Sequence, residues 1–288
     1  MSSSQNLYKT IGIDVLKRIF KVNNNKKYAF LIGAGCSITS GIPSASTCIW
    51  DWKRNLYTSS SDFIISFPNI TLESSRREIQ KWCDAQIGFP AEGDDNEYEF
   101  YVEKCFPFSE DRVAYFEKIC TQNRKLSVGY KVLGFLAKKG IIKSVWTTNF
   151  DGLTKDAARE YNVTYNEVTL ETKDYFTSQQ CKNNLLYVPL HGDYLQNQLK
   201  NTSSELAFQE DVHVDGLIHH LTDTNLVVVG YSGRDKSLMN ALKKVLAVCG
   251  ANLYWCGREE TPSKNIEELL NLATKNKKDC MLRAHLGI

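Results

Sequence analysis

Four short segments carry the residues with which this chain could do chemistry. The first reads Gly33-Ala34-Gly35-Cys36-Ser37 and is followed by Gly41-Ile42-Pro43. Glycines let backbone N–H groups come close to an anion, and the N-terminus of a following helix favours a pyrophosphate. The usual dinucleotide fingerprint has a third glycine where this chain has Ile38. The alternative interpretation is a tight strand-to-helix turn without a ligand.

The second segment is Thr147-Thr148-Asn149-Phe150-Asp151. An asparagine amide both donates and accepts hydrogen bonds, so Asn149 suits a ribose hydroxyl or a water molecule. A carboxylate two residues before Leu153 suits the start of a helix there, and for Asp151 we favour this capping role over ligand binding.

The third segment, His191-Gly192-Asp193, directly follows an apolar run. A histidine titrates near neutral pH, so His191 is a candidate general base. The alternative is that this histidine is exposed to solvent or has a structural role.

The fourth segment is Gly230-Tyr231-Ser232-Gly233-Arg234-Asp235. Small residues before a helix N-terminus suit a phosphate or a ribose. Arg234 either adds positive charge for such a ligand or pairs with Asp235. Gly257, which follows a later apolar run, is assigned to the adenine side of the same ligand.

Apolar runs of strand length precede these segments. Continuous apolar runs are typical of strands buried on both faces, and they occur at residues 28–32, 141–146, 185–190, 226–229 and 253–256. Helical spacing of apolar residues occurs at 8–22, 125–139, 153–160, 238–248 and 266–273, with Gly140 placed to end the second helix. The alternation predicts an α/β fold with a mainly parallel sheet. Ligands of such sheets bind beyond the carboxyl ends of the strands, where all four segments lie.

Residues 58–124 differ in character from the rest of the chain. They are rich in charge, contain Pro68, Pro90 and Pro107, and include the acidic turn Glu92-Gly93-Asp94-Asp95. We predict an inserted, mostly helical subdomain here, and a single α/β domain made of residues 1–57 and 125–288.

Composition limits the classes of partner. The 288 residues carry 35 Lys and Arg against 33 Asp and Glu, a balance that predicts neither direct nucleic-acid binding nor membrane binding. No apolar stretch approaches the roughly 20 residues that span a bilayer, and the first residues lack an export pattern, so we expect a cytoplasmic protein. The nine cysteines are scattered without a C-x-x-C pair, which predicts reduced thiols and no zinc site.

Taken in order, the four segments resemble the Sir2, or sirtuin-like, family. The similar elements are Gly-Ala-Gly-x-Ser with Gly-Ile-Pro at 33–43, Thr-x-Asn-x-Asp at 147–151, His-Gly at 191–192 and the turn at 230–235. The resemblance implies a Rossmann-like sheet with helices on both faces, NAD as the ligand, and Asn149 and His191 as catalytic residues. It also implies a set of NAD-contacting residues: Gly33, Ala34, Gly35, Ser37, Pro43, Thr148, Asp151, Gly230, Ser232, Arg234 and Gly257.

The chain departs from the protein-deacylase branch of that family at two places. Deacylases usually carry Asp-Phe-Arg after Gly-Ile-Pro, where this chain has Ser44-Ala45-Ser46. They also carry two zinc-binding cysteine pairs after His-Gly, where this chain has Asp193-Tyr194-Leu195-Gln196. The extended elements at 148–153 and 230–235 look more like the Sir2-like effector domains of bacterial antiphage systems, which hydrolyse NAD.

The resemblance therefore implies an NAD glycohydrolase that makes ADP-ribose and nicotinamide. It further implies a regulated, NAD-depleting effector of antiphage defence by abortive infection. Such an effector is expected to form a homo-oligomer and to work with a sensor or ATPase, or an Argonaute-type module, of the same system. The alternatives are an NAD-dependent protein deacylase and a non-catalytic sensor of NAD or ADP-ribose.

Overall fold

The computed structural model describes residues 7–22, 26–60, 68–94, 96–122, 124–169, 172, 184–190, 210–222, 224–257, 261–276 and 280–283. The strands in these ranges are β1 (Lys9–Thr10), β2 (Lys27–Ile32), β3 (Ile142–Thr147), β4 (Tyr165–Glu167), β5 (Leu185–Pro189), β6 (Thr224–Val229), β7 (Leu253–Cys256) and β8 (Cys280–Arg283). The helices are α1 (Ile13–Val22), α2 (Ala45–Ser59), α3 (Glu73–Asp84), α4 (Glu97–Cys105), α5 (Ser109–Thr121), α6 (Val128–Lys138), α7 (Leu153–Glu160), α8 (Glu210–Leu221), α9 (Lys236–Val248) and α10 (Lys264–Lys275). Two short 3-10 turns, Ala34–Cys36 and Ile38–Ser40, follow β2.

The strands form one sheet in the order β1-β8-β7-β6-β2-β3-β5-β4. Each neighbouring pair is parallel. Six adjacent strands, in the order β5-β3-β2-β6-β7-β8, follow the order of a dinucleotide-binding Rossmann sheet. In that sheet the first strand along the chain lies between the second and the fourth. β2 is that first strand, so the direction of winding reverses between β2 and β6. In sheets of this kind the ligand crevice lies outside the carboxyl ends of these two strands.

Helices cover both faces of the sheet because the side chains of a strand alternate between them. On β2, Ala29 and Leu31 belong to a cluster that also contains buried residues of α8, α9 and α10. Ile32, from the same strand, packs with α6 and α7 on the opposite face, and Tyr28 packs there with α1. The predicted α/β fold, with a parallel sheet and helices on both faces, is confirmed.

The prediction of one helix over residues 8–22 is wrong at its start. Lys9 and Thr10 pair with β8 as an edge strand, and α1 begins only at Ile13. The predicted helix over 125–139 is shorter, from Val128 to Lys138. Gly140 follows it with a φ of +65°, as expected of a glycine that ends a helix.

Helices α2 to α5 surround an aromatic cluster of their own. Trp52 is fully buried at its centre, and the rings of Tyr98 and Phe116 lie 5.1 and 6.3 Å from it. After α5 the chain returns to the segment that precedes α2, where the Lys125 N–H donates to the Ser40 carbonyl at 3.0 Å. The predicted boundary at residue 58 falls inside α2, and the division into two parts stays a prediction. No helix of the described part of the chain is long and apolar enough to cross a membrane.

Candidate functional site

The loops that follow β2 and β6 meet at the point where the winding of the sheet reverses. The Gly35 N–H donates to the Gly230 carbonyl at 2.9 Å, and the Gly33 N–H donates to the Val229 carbonyl at 3.0 Å. A Cβ built on Gly33 would lie 2.5 Å from the Gly230 oxygen, and one built on Gly230 would lie 2.5 Å from the Cys36 nitrogen. Glycine at these positions therefore allows two backbones to touch.

This contact uses amides that were predicted to face a pyrophosphate. Besides Gly33 and Gly35, the N–H groups of Cys36 and Ser37 donate within the first 3-10 turn, to Gly33 and Ala34. A role of this loop in NAD binding stays a prediction. The geometry shows two loops in backbone contact at the ends of β2 and β6.

Asn149 lies at the centre of a buried polar network at the end of β3. Its Nδ2 group donates to the Gly33 carbonyl at 3.0 Å and to Ser37 Oγ at 3.0 Å, and lies 3.4 Å from the Tyr130 hydroxyl. Its backbone N–H donates to Thr147 Oγ1 at 3.0 Å. The side chain is therefore held by the loop after β2 and by Tyr130 of α6.

These contacts fix which atom of the Asn149 amide is the nitrogen and which is the oxygen. A carbonyl oxygen can only accept, so the atom beside the Gly33 oxygen must be the nitrogen. The other atom, Oδ1, is buried and has no hydrogen-bond partner among the described residues. An unpaired buried acceptor is costly, and a hydroxyl or water donor supplied by a ligand would satisfy it. Oδ1 is thus the end of the Asn149 amide that has no protein partner among the described residues, and a contact with a ligand stays a prediction.

Ser37 joins this network to α7. Its hydroxyl donates to Asp151 Oδ2 at 2.5 Å, while Asp151 Oδ1 accepts from the Leu153 N–H at 2.9 Å at the start of the helix. Asp151 thus binds an N–H at the start of α7, although the N-cap position is Gly152, and the same carboxylate also accepts from Ser37. Tyr130 Oη lies 2.9 Å from Ser37 Oγ. Burial, and the nearby Asp151 charge, raise the pKa of Tyr130 well above its usual range, so the phenol keeps its proton.

Cys36 is a thiol of this site that stays protonated. Its Sγ donates to the Val229 carbonyl at 3.3 Å. Burial raises the pKa of Cys36 to about 12, with smaller contributions from Asp151 and Cys256. A thiol with this pKa is a poor nucleophile at neutral pH.

The turn after β6 is held by a helix cap and by a contact with α10. Asp235 caps α9 by accepting from the Leu238 N–H at 3.0 Å, and a Cβ on Gly233 would lie 2.9 Å from Ile266. Ser232 and Arg234 are exposed. Their assignment to NAD binding stays a prediction.

Three further residues, Thr148, Pro43 and Gly257, were predicted to contact NAD. The Thr148 N–H donates to the Ile32 carbonyl at 3.2 Å, so its backbone is tied to β2. Pro43 and Gly257 are half-buried. Their roles also stay predictions.

His191 and the residues that follow it to Gln196 lie outside the described residues. The chain that precedes them is fixed: β5 ends at Pro189, and the Leu190 N–H donates to the Thr147 carbonyl at 2.8 Å. The carboxyl ends of β3 and β5 are thus adjacent.

The sequence analysis missed Tyr130. Tyr130 comes from the inner face of α6, whereas every predicted site residue follows a strand. Helical spacing marks it as a core position, but nothing in the sequence indicates where its hydroxyl lies.

Two further features concern possible ligands elsewhere. A cavity of about 240 Å³ lies at the amino ends of β3 and β5, lined by Lys138, Lys143 and Asn162 among others, and so at the opposite edge of the sheet from Asn149. Across the described ranges, no three His, Cys, Asp or Glu side chains cluster as metal ligands would. The expectation that zinc is absent stays an expectation.

A family model described as SIR2-like domain matches residues 143–278. The match begins in β3 and includes Asn149, Asp151, His191 and Gly230, and it leaves out the loop after β2. Residues 143–278 are thus similar to a SIR2-like domain.

Two solved structures resemble the fold. One, described as "The Structural basis for Sirtuin Substrate affinity", is 15% identical, with 91% of this chain and 95% of that chain covered and a TM-score of 0.41. The other, described as "The Structural basis of Sirtuin Substrate Affinity", is 14% identical, with 95% and 94% covered and a TM-score of 0.41. Likeness at this level adds nothing to what the strand order already shows. No curated protein matches the sequence.

Proposed function

We propose that this protein hydrolyses NAD to ADP-ribose and nicotinamide. The observation that carries the proposal is the unpaired acceptor Oδ1 of Asn149, fixed in a buried network beside the point where the sheet reverses its winding. That position suits a dinucleotide. The SIR2-like match supports NAD in particular, because Sir2-like folds are typically those of NAD-dependent enzymes.

The chemistry requires little beyond positioning. Nicotinamide leaves as a neutral base when the bond between its ring nitrogen and ribose C1′ breaks, and the ribose then resembles an oxocarbenium ion. In our proposal Asn149 Oδ1 accepts a hydrogen bond from a ribose hydroxyl or from the attacking water. The attacking water forms the new C1′–O bond, and His191 takes the proton that this water releases, directly or through a ribose hydroxyl.

The first prediction concerns these two side chains. Asn149→Ala and His191→Ala should each nearly abolish NAD loss, since a positioned general base contributes about a hundred- to ten-thousandfold in rate. Nicotinamide and ADP-ribose released from NAD are measured by chromatography. Asn240→Ala and His219→Ala, which change exposed residues of α9 and α8, serve as matched controls.

Asn149→Asp tests the role of the amide nitrogen separately from that of the oxygen. This variant keeps an acceptor oxygen but replaces the nitrogen that donates to the Gly33 carbonyl by a second acceptor. We expect it to lose activity as Asn149→Ala does. Folded variants that consume NAD at the wild-type rate would show that the assigned residues are not the catalytic ones.

The alternative functions predict different behaviour with NAD alone. A hydrolase consumes NAD without any acyl-lysine peptide, whereas a deacylase is nearly idle until the peptide is added. A sensor binds NAD or ADP-ribose without turnover. Our proposal expects turnover without peptide.

The biological role is part of the same proposal. Unregulated NAD loss would kill the host cell, so a regulated, NAD-depleting effector of antiphage defence is the role we propose, in the cytoplasm and as a homo-oligomer. Its activator would be a sensor, an ATPase or an Argonaute-type module. NAD turnover measured with and without candidate partner proteins tests this step.

A further inference from the structure

Tyr130 reaches the candidate site from a helix that no predicted site residue belongs to. It lies on the inner face of α6, and only 3% of it is exposed. Its hydroxyl is 2.9 Å from Ser37 Oγ and 3.4 Å from Asn149 Nδ2. α6 itself is packed closely on α7, because a Cβ on Gly134 would lie 2.6 Å from the Ala157 carbonyl oxygen. The position of the hydroxyl is thus set by two packed helices.

The directions of the hydrogen bonds give this hydroxyl a definite task. Ser37 donates its one proton to Asp151, so Ser37 Oγ accepts from Tyr130. One Nδ2 proton of Asn149 goes to the Gly33 carbonyl, and the other is shared between Ser37 Oγ and the Tyr130 oxygen. Tyr130 therefore contacts Asn149 directly and also orients the serine that contacts it.

We propose that Tyr130 is a positioning residue of this site, whose hydroxyl holds the Asn149 amide in the orientation that presents Oδ1 to the ligand. This inference rests on the proposed function. The rival explanation is that the hydroxyl only stabilises the packing of α6. In that case its removal lowers stability and leaves the Asn149 amide and the kinetics unchanged.

The decisive test is Tyr130→Phe with Tyr28→Phe as its matched control. Tyr28 is 1% exposed on β2, and its hydroxyl has no hydrogen-bond partner among the described residues, so its removal breaks no hydrogen bond there. The side-chain amide protons of Asn149 are followed by NMR in ligand-free, 15N-asparagine-labelled protein and assigned by their loss in Asn149→Ala. Tyr130→Phe should shift these signals and speed their exchange with water, whereas Tyr28→Phe should not.

Kinetics supply the second readout. In Tyr130→Phe we expect kcat for NAD loss to fall by up to about tenfold, the range given by one net hydrogen bond. KM should stay within about twofold, because the rest of the dinucleotide is bound as before and only the contact at the reacting ribose is misplaced.

The outcomes separate this inference from the proposed function. Unchanged Asn149 amide signals in folded Tyr130→Phe would overturn the positioning role, whatever the activity. An equal loss of kcat in Tyr28→Phe would overturn it as well. A wild-type protein that leaves NAD intact would contradict the proposed function, and the NMR comparison would then decide the role of Tyr130 by itself.

Discussion

Gly230 is the residue at which the two loops of the candidate site touch. Its φ is +67°, a left-handed conformation that residues with a Cβ rarely adopt. The space for a Cβ is also missing, because the Cys36 nitrogen and Sγ would lie 2.5 and 2.8 Å away. Both restrictions act on the same residue, so no other amino acid fits without moving the loop after β2.

We predict that Gly230→Ala lowers the free energy of unfolding by at least about 2 kcal/mol, from the left-handed backbone and the clash together. Urea denaturation followed by circular dichroism measures it. Gly250→Ala is the control, since a Cβ there meets nothing within 4 Å. Equal transition midpoints for the two variants would show that the loops can separate at no cost.

Site residues were predictable to the extent that they follow strands. A continuous apolar run marks the end of β3, so Asn149 and Asp151 could be placed at a ligand-binding edge. The hydrogen-bond partners of Asn149 could not be predicted in the same way. Tyr130 comes from α6, and the position of its hydroxyl depends on how α6 packs on α7. The close contact of Gly230 with the loop after β2 could not be predicted either, since the sequence does not show which backbone lies against this residue.

Among the elements, α2, α3 and α4 are held together by a buried charge pair. Lys53, on α2, is fully buried and forms an ion pair with Glu97 of α4. Its Nζ also donates to Gln80 of α3 at 2.7 Å and lies 4.7 Å from the centre of the Trp50 ring. Removing one charge leaves the other buried without its counter-ion.

Glu97→Ala should therefore lower the free energy of unfolding by about 3–5 kcal/mol. Glu73 and Arg77 form an ion pair on the surface of α3, and their side chains are 83% and 75% exposed. Glu73→Ala should therefore lower the free energy of unfolding by no more than about 1 kcal/mol. Urea denaturation of the two variants gives the comparison. If both lost the same small amount, the pair would not hold these helices together.

Short elements explain what the sequence did not predict about the fold. β1 has two residues and β4 has three, too few for an apolar run to be recognised. Both are the outermost strands of the sheet in the described part of the chain. The central strands are buried on both faces, so their runs stand out.

For the molecule as a whole, His220 links stability to pH. It lies on α8, with its ring centre 6.4 Å from that of Trp146. Burial lowers the pKa of His220 from 6.5 to about 4, and the neighbouring His219 adds to this. Between these two pH values the unfolded chain binds a proton that the folded protein does not, so acid favours unfolding.

We expect the free energy of unfolding to fall as the pH drops from about 6.5 to 4, with roughly 1–3 kcal/mol of that fall due to His220. Other groups titrate in the same window, so the quantity to compare is the slope of stability against pH in the wild type and in His220→Gln. The variant should have the flatter curve. Identical slopes would mean that His220 ionises alike in both states.

The place of β2 in the sheet has a consequence for how the protein is made. The loop after β2 is synthesised before the residues that it contacts, because the Cys36 thiol donates to a carbonyl 193 residues further along the chain and the Gly33 carbonyl accepts from Asn149, 116 residues further along. Contacts that distant form slowly, because the intervening chain must first be brought into place. The contact between the loops after β2 and β6 therefore forms only after β6 has been synthesised, and until then a nascent chain lacks this part of the candidate site.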